Sequence, residues 1–298
     1  MNRTIVPERL KGKAERADNN WMRRVAAVFA IMSMMVFGLA APASSVTTPR
    51  VGVLNSASTL AFAATKGWDV AGRQQAAFDA LQRVGMNPVW VSDADLEDPG
   101  QLAGFDVIVL PYTRVMNESA SLTVRDWIAG GGGLVPVLAS PREFPLPGGG
   151  WGLWPLEMNR EAWEWGPLSE AYQMDYLNDP TPDALDLLLD AQGRNHPIVQ
   201  KALANLGLTT LRLNRPTGAG AEFARVASSN VQPLLRFSIT NPGSYEGVDV
   251  TQYDGFPAAE ATRYGLGRIV YFDTSIIDFF PEYSLALAHQ LFGGVQQG

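Results

Sequence analysis

The stretch Phe105–Thr113, "FDVIVLPYT", is apolar without interruption from Val107 to Pro111. A strand with one wet face alternates between apolar and polar residues. A continuous run needs cover on both faces, which is the condition of a strand inside a parallel sheet. This run therefore requires helices above and below it. "RVGVLNS" (Arg50–Ser56) and "GGGLVPVLAS" (Gly131–Ser140) have the same character, and "NPVWVSD" (Asn87–Asp93) reads as a further strand.

Helical patterns separate these runs. In "AGRQQAAFDALQRVG" (Ala71–Gly85), Ala77, Phe78, Leu81 and Val84 fall at helical spacing, and Gly85 is a natural stop. "STLAFAATKGWDV" reads as a loop with some helical character. "NESASLTVRDWIAGG" predicts a helix capped by Asn117 or Ser119 and stopped at Gly130. The alternation predicts an α/β fold: a doubly wound, mostly parallel sheet of the flavodoxin-like type. Ligands of such sheets sit beyond the strand C-termini. Those ends carry Asn55, Ser56, Asp93, Tyr112, Thr113 and Ser140. Pro136 lacks a ladder donor, so its strand is expected at an edge, at an end or beside a bulge.

From about 141 to 180 the pattern breaks into an insertion rich in Trp, Pro and Gly. Beyond it, "TPDALDLLLDAQG" predicts a helix capped by Thr181, and "NHPIVQKALANLG" a short helix. "AEFARVASSNVQPLLRFSI" predicts two strands or a hairpin. "YGLGRIVYFDTSII" predicts a last strand and "SLALAHQLFGG" a closing helix.

The first 43 residues stand apart. Met22-Arg23-Arg24 precedes an apolar run of about 17 residues and an Ala41-Pro42-Ala43 signature. This reads as a signal segment cleaved after Ala43, with an uncleaved anchor as the alternative and Met22 as an alternative start. The expectation is export to the periplasm, the cell surface or the medium. Residues 50–298 then form one domain containing the insertion. The leader carries seven basic and three acidic side chains, so residues 44–298 carry a net charge of −11 against −7 for the whole chain. Lys66 and Lys201 are the only lysines after the leader. Such a surface repels nucleic acid and anionic lipid, so neither is expected as a partner, and no membrane contact beyond the leader is expected.

The chain has no cysteine and two histidines, His196 and His289. That excludes a thiolate nucleophile and makes a histidine-rich zinc site untenable, so no metal is expected. The glycine run at 130–133 turns from helix to strand, the wrong polarity for a phosphate loop, and no cofactor is expected.

"FDVIVLPYT", a helix ending in Gly-Gly, "GGGLVPVLAS", "NHPI" and "YGLGRIVYFDTS" together resemble the class I glutamine-amidotransferase-like superfamily. Within it they are most similar to the branch of trehalose-utilisation-like proteins and the trimerisation domain of family 42 β-galactosidases. The resemblance implies a catalytic cysteine at the turn after the strand matching Leu134–Ala139, with a His-Glu pair late in the chain. That turn is Ala139-Ser140-Pro141 here. The chemistry implied by the family is therefore missing its nucleophile.

Ser140 and His196 remain as catalytic candidates. Ser140 lacks the glycine-flanked elbow of a serine hydrolase, because Leu138 and Arg142 stand where glycines would be. Its simpler reading is a strand end or cap. His196 sits in a His-Pro turn that fixes chain direction, and His289 in a helix near the C-terminus. Trp151, Trp154, Trp163 and Trp165 lie among Glu157, Arg160, Glu161 and Glu164. These rings form either a small core of the insertion or a ligand surface. Tyr112, Asp93 and Asp273 join them as ligand candidates at the rim, where Asp278 and the acidic loop around Asp95 also lie. The expected function is an exported, non-catalytic module that binds carbohydrate or an envelope protein, with a homo-oligomer left open. The alternative is a hydrolase acting on a carbohydrate or ester through Ser140 or rim carboxylates.

Overall fold

The computed structural model describes residues 49–83, 85–138, 140–154, 165–179, 182–206, 209–210, 212–214, 220–243 and 247–274. The expectations for the leader, for Val84, Glu157, Arg160, Glu161, Trp163, Glu164, Thr181, Asp278 and His289, and for the closing helix, lie outside these residues.

The continuous apolar runs become the strands β1 (Val51–Leu54), β3 (Val107–Pro111) and β4 (Gly133–Val137), each buried along its whole length. With β2 (Val89–Val91) and β13 (Gly267–Phe272) they form a parallel half-sheet in the order β2-β1-β3-β4-β13. The sheet continues antiparallel through β12 (Pro257–Tyr264), β11 (Val231–Asn241), β8 (Ala184–Leu189) and β9 (Arg212–Asn214), nine strands in all. Following the pairings, β12 and β8 oppose the other seven, so the expected α/β class with a mostly parallel sheet is found.

Helices cover both faces. On one side lie α1 (Ala57–Lys66), α2 (Val70–Arg83) and α6 (Pro197–Leu206), packing Ala63, Ala77, Leu81 and Val199 onto Val51, Val109, Val135 and Phe272. On the other lie α3 (Pro99–Leu102), α4 (Glu118–Ala129) and α5 (Ser169–Tyr172), packing Leu102, Val124, Ile128 and Tyr172 onto Ile108, Leu134, Ile269 and Tyr271. Two small antiparallel ribbons complete the molecule: β5 (Glu143–Pro145) with β6 (Trp151–Leu153), and β7 (Met174–Asn178) with β10 (Phe223–Val226). Among the described residues no helix is long and apolar enough to cross a membrane.

Four local expectations need correction. "STLAFAATK" is a full helix, α1, whose N-cap Ser56 accepts a hydrogen bond from the Thr59 amide and whose C-cap Gly67 takes the left-handed φ of 69°. "ALDLLL" is strand β8, not a helix. Its leucines suit either state, and pairing to β11 on one side and β9 on the other decides the matter. "FARV" and "VQPLLRFSITN" are two strands but not a hairpin, since β10 pairs with β7 in a separate ribbon. Pro136 lies in a central strand. Its pairing with β3 is continuous, and the missing donor falls where the β4–β13 ladder skips Val135 and Pro136.

The turn before β13 shows why glycine is needed there. A Cβ on Gly267 would lie 2.0 Å from the Ile128 carbonyl oxygen, at the end of α4. The closeness of that approach lets the end of α4 lie against the start of β13.

Candidate functional site

Beyond the parallel strand ends, several polar side chains bond the protein's own backbone. After β2, the Asp93 carboxylate accepts a hydrogen bond from the Ser58 amide at 2.9 Å, so the first turn of α1 already holds an anion. The Thr59 hydroxyl, fully buried, accepts from the Val115 amide at 3.1 Å and donates to the Val115 carbonyl at 3.3 Å. Tyr112 stands at the end of β3 with φ 55°, its ring under the Arg73 guanidinium at 4.2 Å. Leu138, just past β4, has φ 45°. Left-handed backbone at a non-glycine residue is held only by its surroundings. Here the Tyr112 amide bonds the Val137 carbonyl at 3.0 Å and the Leu138 amide bonds the Phe272 carbonyl at 2.9 Å.

Ser140 belongs to this stitching. It is fully buried. Its Oγ accepts from the Thr113 amide at 3.0 Å and has the carbonyls of Val137, Leu138 and Leu110 at 3.0, 3.2 and 3.3 Å for its single proton. Among the described residues no hydrogen bond joins it to His196 or to a carboxylate. His196 lies beside α6, with its Nδ1 accepting from the Ile198 amide at 3.4 Å. Burial, with Arg263 nearby, pushes its imidazole below the ordinary range. Replacing Ser140 with Ala strands the buried Thr113 amide. We expect Ser140→Ala to lower stability by about 2 kcal/mol in urea unfolding. A variant as stable as the parent would show that this tie contributes nothing.

The strongest electrostatic feature lies beneath the insertion. Glu260 on β12, Asp273 just past β13, and Glu222 just before β10 are all 0% exposed. Glu260 stands opposite Tyr271 in the β12–β13 ladder, and Asp273 is two residues on. These positions therefore share a sheet face. The carboxyls of Glu260 and Asp273 are neighbours, and none of their four oxygens has a hydrogen-bond partner among the described residues. Burial pushes Glu260 up to about 8, opposed by its interaction with Asp273 and by Arg236 on β11, with Glu222 adding to the rise. Asp273 is raised well above the usual carboxylate range, first by burial and then by Glu260 and Glu222. The pair holds a proton at neutral pH.

Glu222 is served differently. Trp165 Nε1 donates to its Oε1 at 3.1 Å and the Tyr271 hydroxyl donates to its Oε2 at 2.6 Å. Tyr271 also receives the Ser140 amide at 3.5 Å, and the Tyr172 hydroxyl donates to the Ser140 carbonyl at 2.5 Å. Both phenols are raised well above their ordinary range by burial and by Glu222, so they are neutral donors. The rings of Trp165, Tyr172, Tyr176 and Tyr271 meet edge to face with centroids 4.9–5.9 Å apart. The network clamps the insertion to the sheet. Asp273 thus lies inside the protein rather than on the rim. Among the described residues no group of three His, Asp or Glu could hold a metal ion.

The tryptophans separate. Trp165 is core. Trp154 is buried against Phe144, with centroids 4.9 Å apart. Trp151 is half-exposed and meets Phe62 edge to face at 5.4 Å. Phe62 also meets Trp68 at 5.8 Å, and Trp68 is 47% exposed. This surface, Trp68–Phe62–Trp151, joins the end of α1 to the β5–β6 ribbon. Trp68 was not among the sequence candidates. The signal was a tryptophan directly after a helix-ending glycine, hidden in a stretch read as loop.

No family model matches the sequence, and no curated protein matches it. Solved structures do resemble the fold. A polyextremophilic β-galactosidase from the Antarctic haloarchaeon Halorubrum lacusprofundi superposes with a TM-score of 0.51 at 19% identity, over 87% of this chain and 32% of the other. A cold-adapted β-galactosidase from Rahnella sp. R3 gives 0.51 at 16% identity, over 82% and 31%. A GH42 β-galactosidase from G. stearothermophilus gives 0.50 at 12% identity, over 84% and 30%. The chain spans about a third of these relatives' length, and identities this low speak for the fold alone. They fit the α/β fold expected from the sequence.

Proposed function

We propose that this chain is an exported binding module without the parent amidotransferase chemistry, and that it takes carbohydrate on the Trp68–Phe62–Trp151 surface. The observation that carries the reading is two accessible indole rings flanking one buried phenylalanine, on two different elements. Sugar C–H faces stack on such rings, and rings fixed by edge-to-face contacts lose little entropy when a ligand arrives. The hydrogen bonding at the strand ends supports the same reading. Asp93, Thr59 and Ser140 spend their polar atoms on the protein's own backbone, where a substrate would otherwise bind. The hydrolase alternative through Ser140 or Asp273 would need those groups to meet solvent, and both are 0% exposed.

The test is a glycan array probed with the full chain, Trp68→Ala and Trp151→Ala. The expected result is sugar-dependent signal from the parent and roughly tenfold weaker signal from each variant, corresponding to one lost stacking contact. An array on which the parent is silent refutes the carbohydrate reading. Signal unchanged in both variants removes this surface from it.

A further inference from the structure

We infer that the carbohydrate held on this surface is acidic, a polysaccharide segment bearing carboxylates whose sugar rings lie on Trp68 and Trp151 while an anionic group meets Lys66. The inference rests on the binding reading above and adds the ligand's charge.

From residue 44 onward the chain is strongly acidic and has two lysines. One of them, Lys66, is in the last turn of α1. Its Nζ lies 5.7 Å from the centre of the Phe62 ring, the ring that both tryptophans meet. Many arginines of the described residues hold a carboxylate directly: Arg142 with Asp179, Arg212 with Asp186, Arg225 with Asp175, Arg236 with Asp190. Lys66 is exposed and has no acidic partner among the described residues. A second cation, the Arg114 guanidinium, stands 5.8 Å from the Trp68 ring.

Two carboxylates are also close, and neither cancels the pattern. Asp69 follows Trp68, but its carboxylate is turned to the Gly72 amide at 2.9 Å. Glu143 pairs with Arg114 at 2.8 Å and is buried, with burial raising its carboxyl above the ordinary range. What remains facing outward is a lysine on an aromatic surface in a chain of opposite sign. A neutral sugar offers that cation only hydroxyl and ether oxygens as acceptors. A uronic acid, stacked on one of the indoles, gains a charge-assisted contact with it.

The test compares pectin, alginate and hyaluronan fragments with their carboxyl-reduced or methyl-esterified counterparts, titrated into the full chain by affinity electrophoresis. We expect at least one acidic fragment to bind roughly fivefold more tightly than its neutralised form, the range of one or two exposed charge contacts. Lys66→Gln should remove most of that preference and leave the neutral form's affinity unchanged. Trp68→Ala should weaken both forms together. Equal or tighter binding of the neutral forms overturns the inference while leaving the carbohydrate reading intact. Failure of all fragments to bind also overturns it, and the neutral sugars of the array then judge the carbohydrate reading separately. A preference that survives Lys66→Gln overturns the assignment of this lysine.

Discussion

Glu260→Gln is expected to make the protein more stable at pH 8 and to flatten its stability across the neutral range. The carboxyl of Glu260 is fully buried beside Asp273 and Glu222, and its folded value is pushed up to about 8. In the unfolded chain it returns to the ordinary range, near 4. Between those limits the folded protein keeps a proton that the unfolded chain has released. Stability contributed by this group is therefore complete below the ordinary range, falls as pH rises towards about 8, and is lost above it. The slope for one proton is roughly 1 kcal/mol per pH unit. Asp273, raised in the same direction, steepens it. His196 pulls the other way, because burial lowers its imidazole and so favours the folded state as pH rises. The readout is therefore the difference between variant and parent in urea unfolding from pH 5 to 8.5. A variant advantage that grows with pH is expected. An advantage that stays constant, or a variant less stable at pH 8, would mean that the pair is not protonated in the folded state.

The second large effect is expected at Trp165. The ring is fully buried, contacts Tyr172, Tyr176 and Tyr271, and gives its N–H to Glu222. Trp165→Ala should cost about 4 kcal/mol, the usual range for deleting a buried indole. Trp165→Phe keeps much of the ring but removes the donor, and should cost about 2 kcal/mol through the hydrogen bond lost from the buried Glu222 Oε1. Loss should appear first as faster amide exchange in β7 and β10, because the ribbon and the insertion are held to the sheet through this cluster. An alanine variant within 1 kcal/mol of the parent would show that the insertion does not depend on the clamp.

The two halves of the sheet differed in how plainly the sequence announced them. β1, β3 and β4 are buried on both faces and show as unbroken apolar runs. Asn117 and Gly130 bounded α4 as residue chemistry requires, with the Asn117 side chain accepting from the Ala120 amide. Of the antiparallel half only β11 read as a strand. β12, "PAAEATRY", has small residues and a glutamate at a buried position, so nothing in its composition suggests an interior strand. β8 is a leucine-rich segment whose state is decided by its neighbours. The acidic cluster was hidden for the same reason. Glu222, Glu260 and Asp273 are far apart in sequence, and only the last drew notice, as a rim residue. Their meeting depends on β12 and β13 pairing and on the insertion folding over them. The aromatic surface was half visible: Trp151 was a ligand candidate, but Trp68 and Phe62 acquire meaning only when α1 is a helix.

The most direct test of the proposed function is amide hydrogen exchange of the full chain with and without the tightest-binding glycan found on the array. The expected footprint is added protection around residues 62–70 and 143–153, with residues 55–59 and 112–115 unchanged. Protection centred instead on 55–59 and 112–115 would place the ligand in the crevice beyond the parallel strands and contradict the aromatic-surface reading.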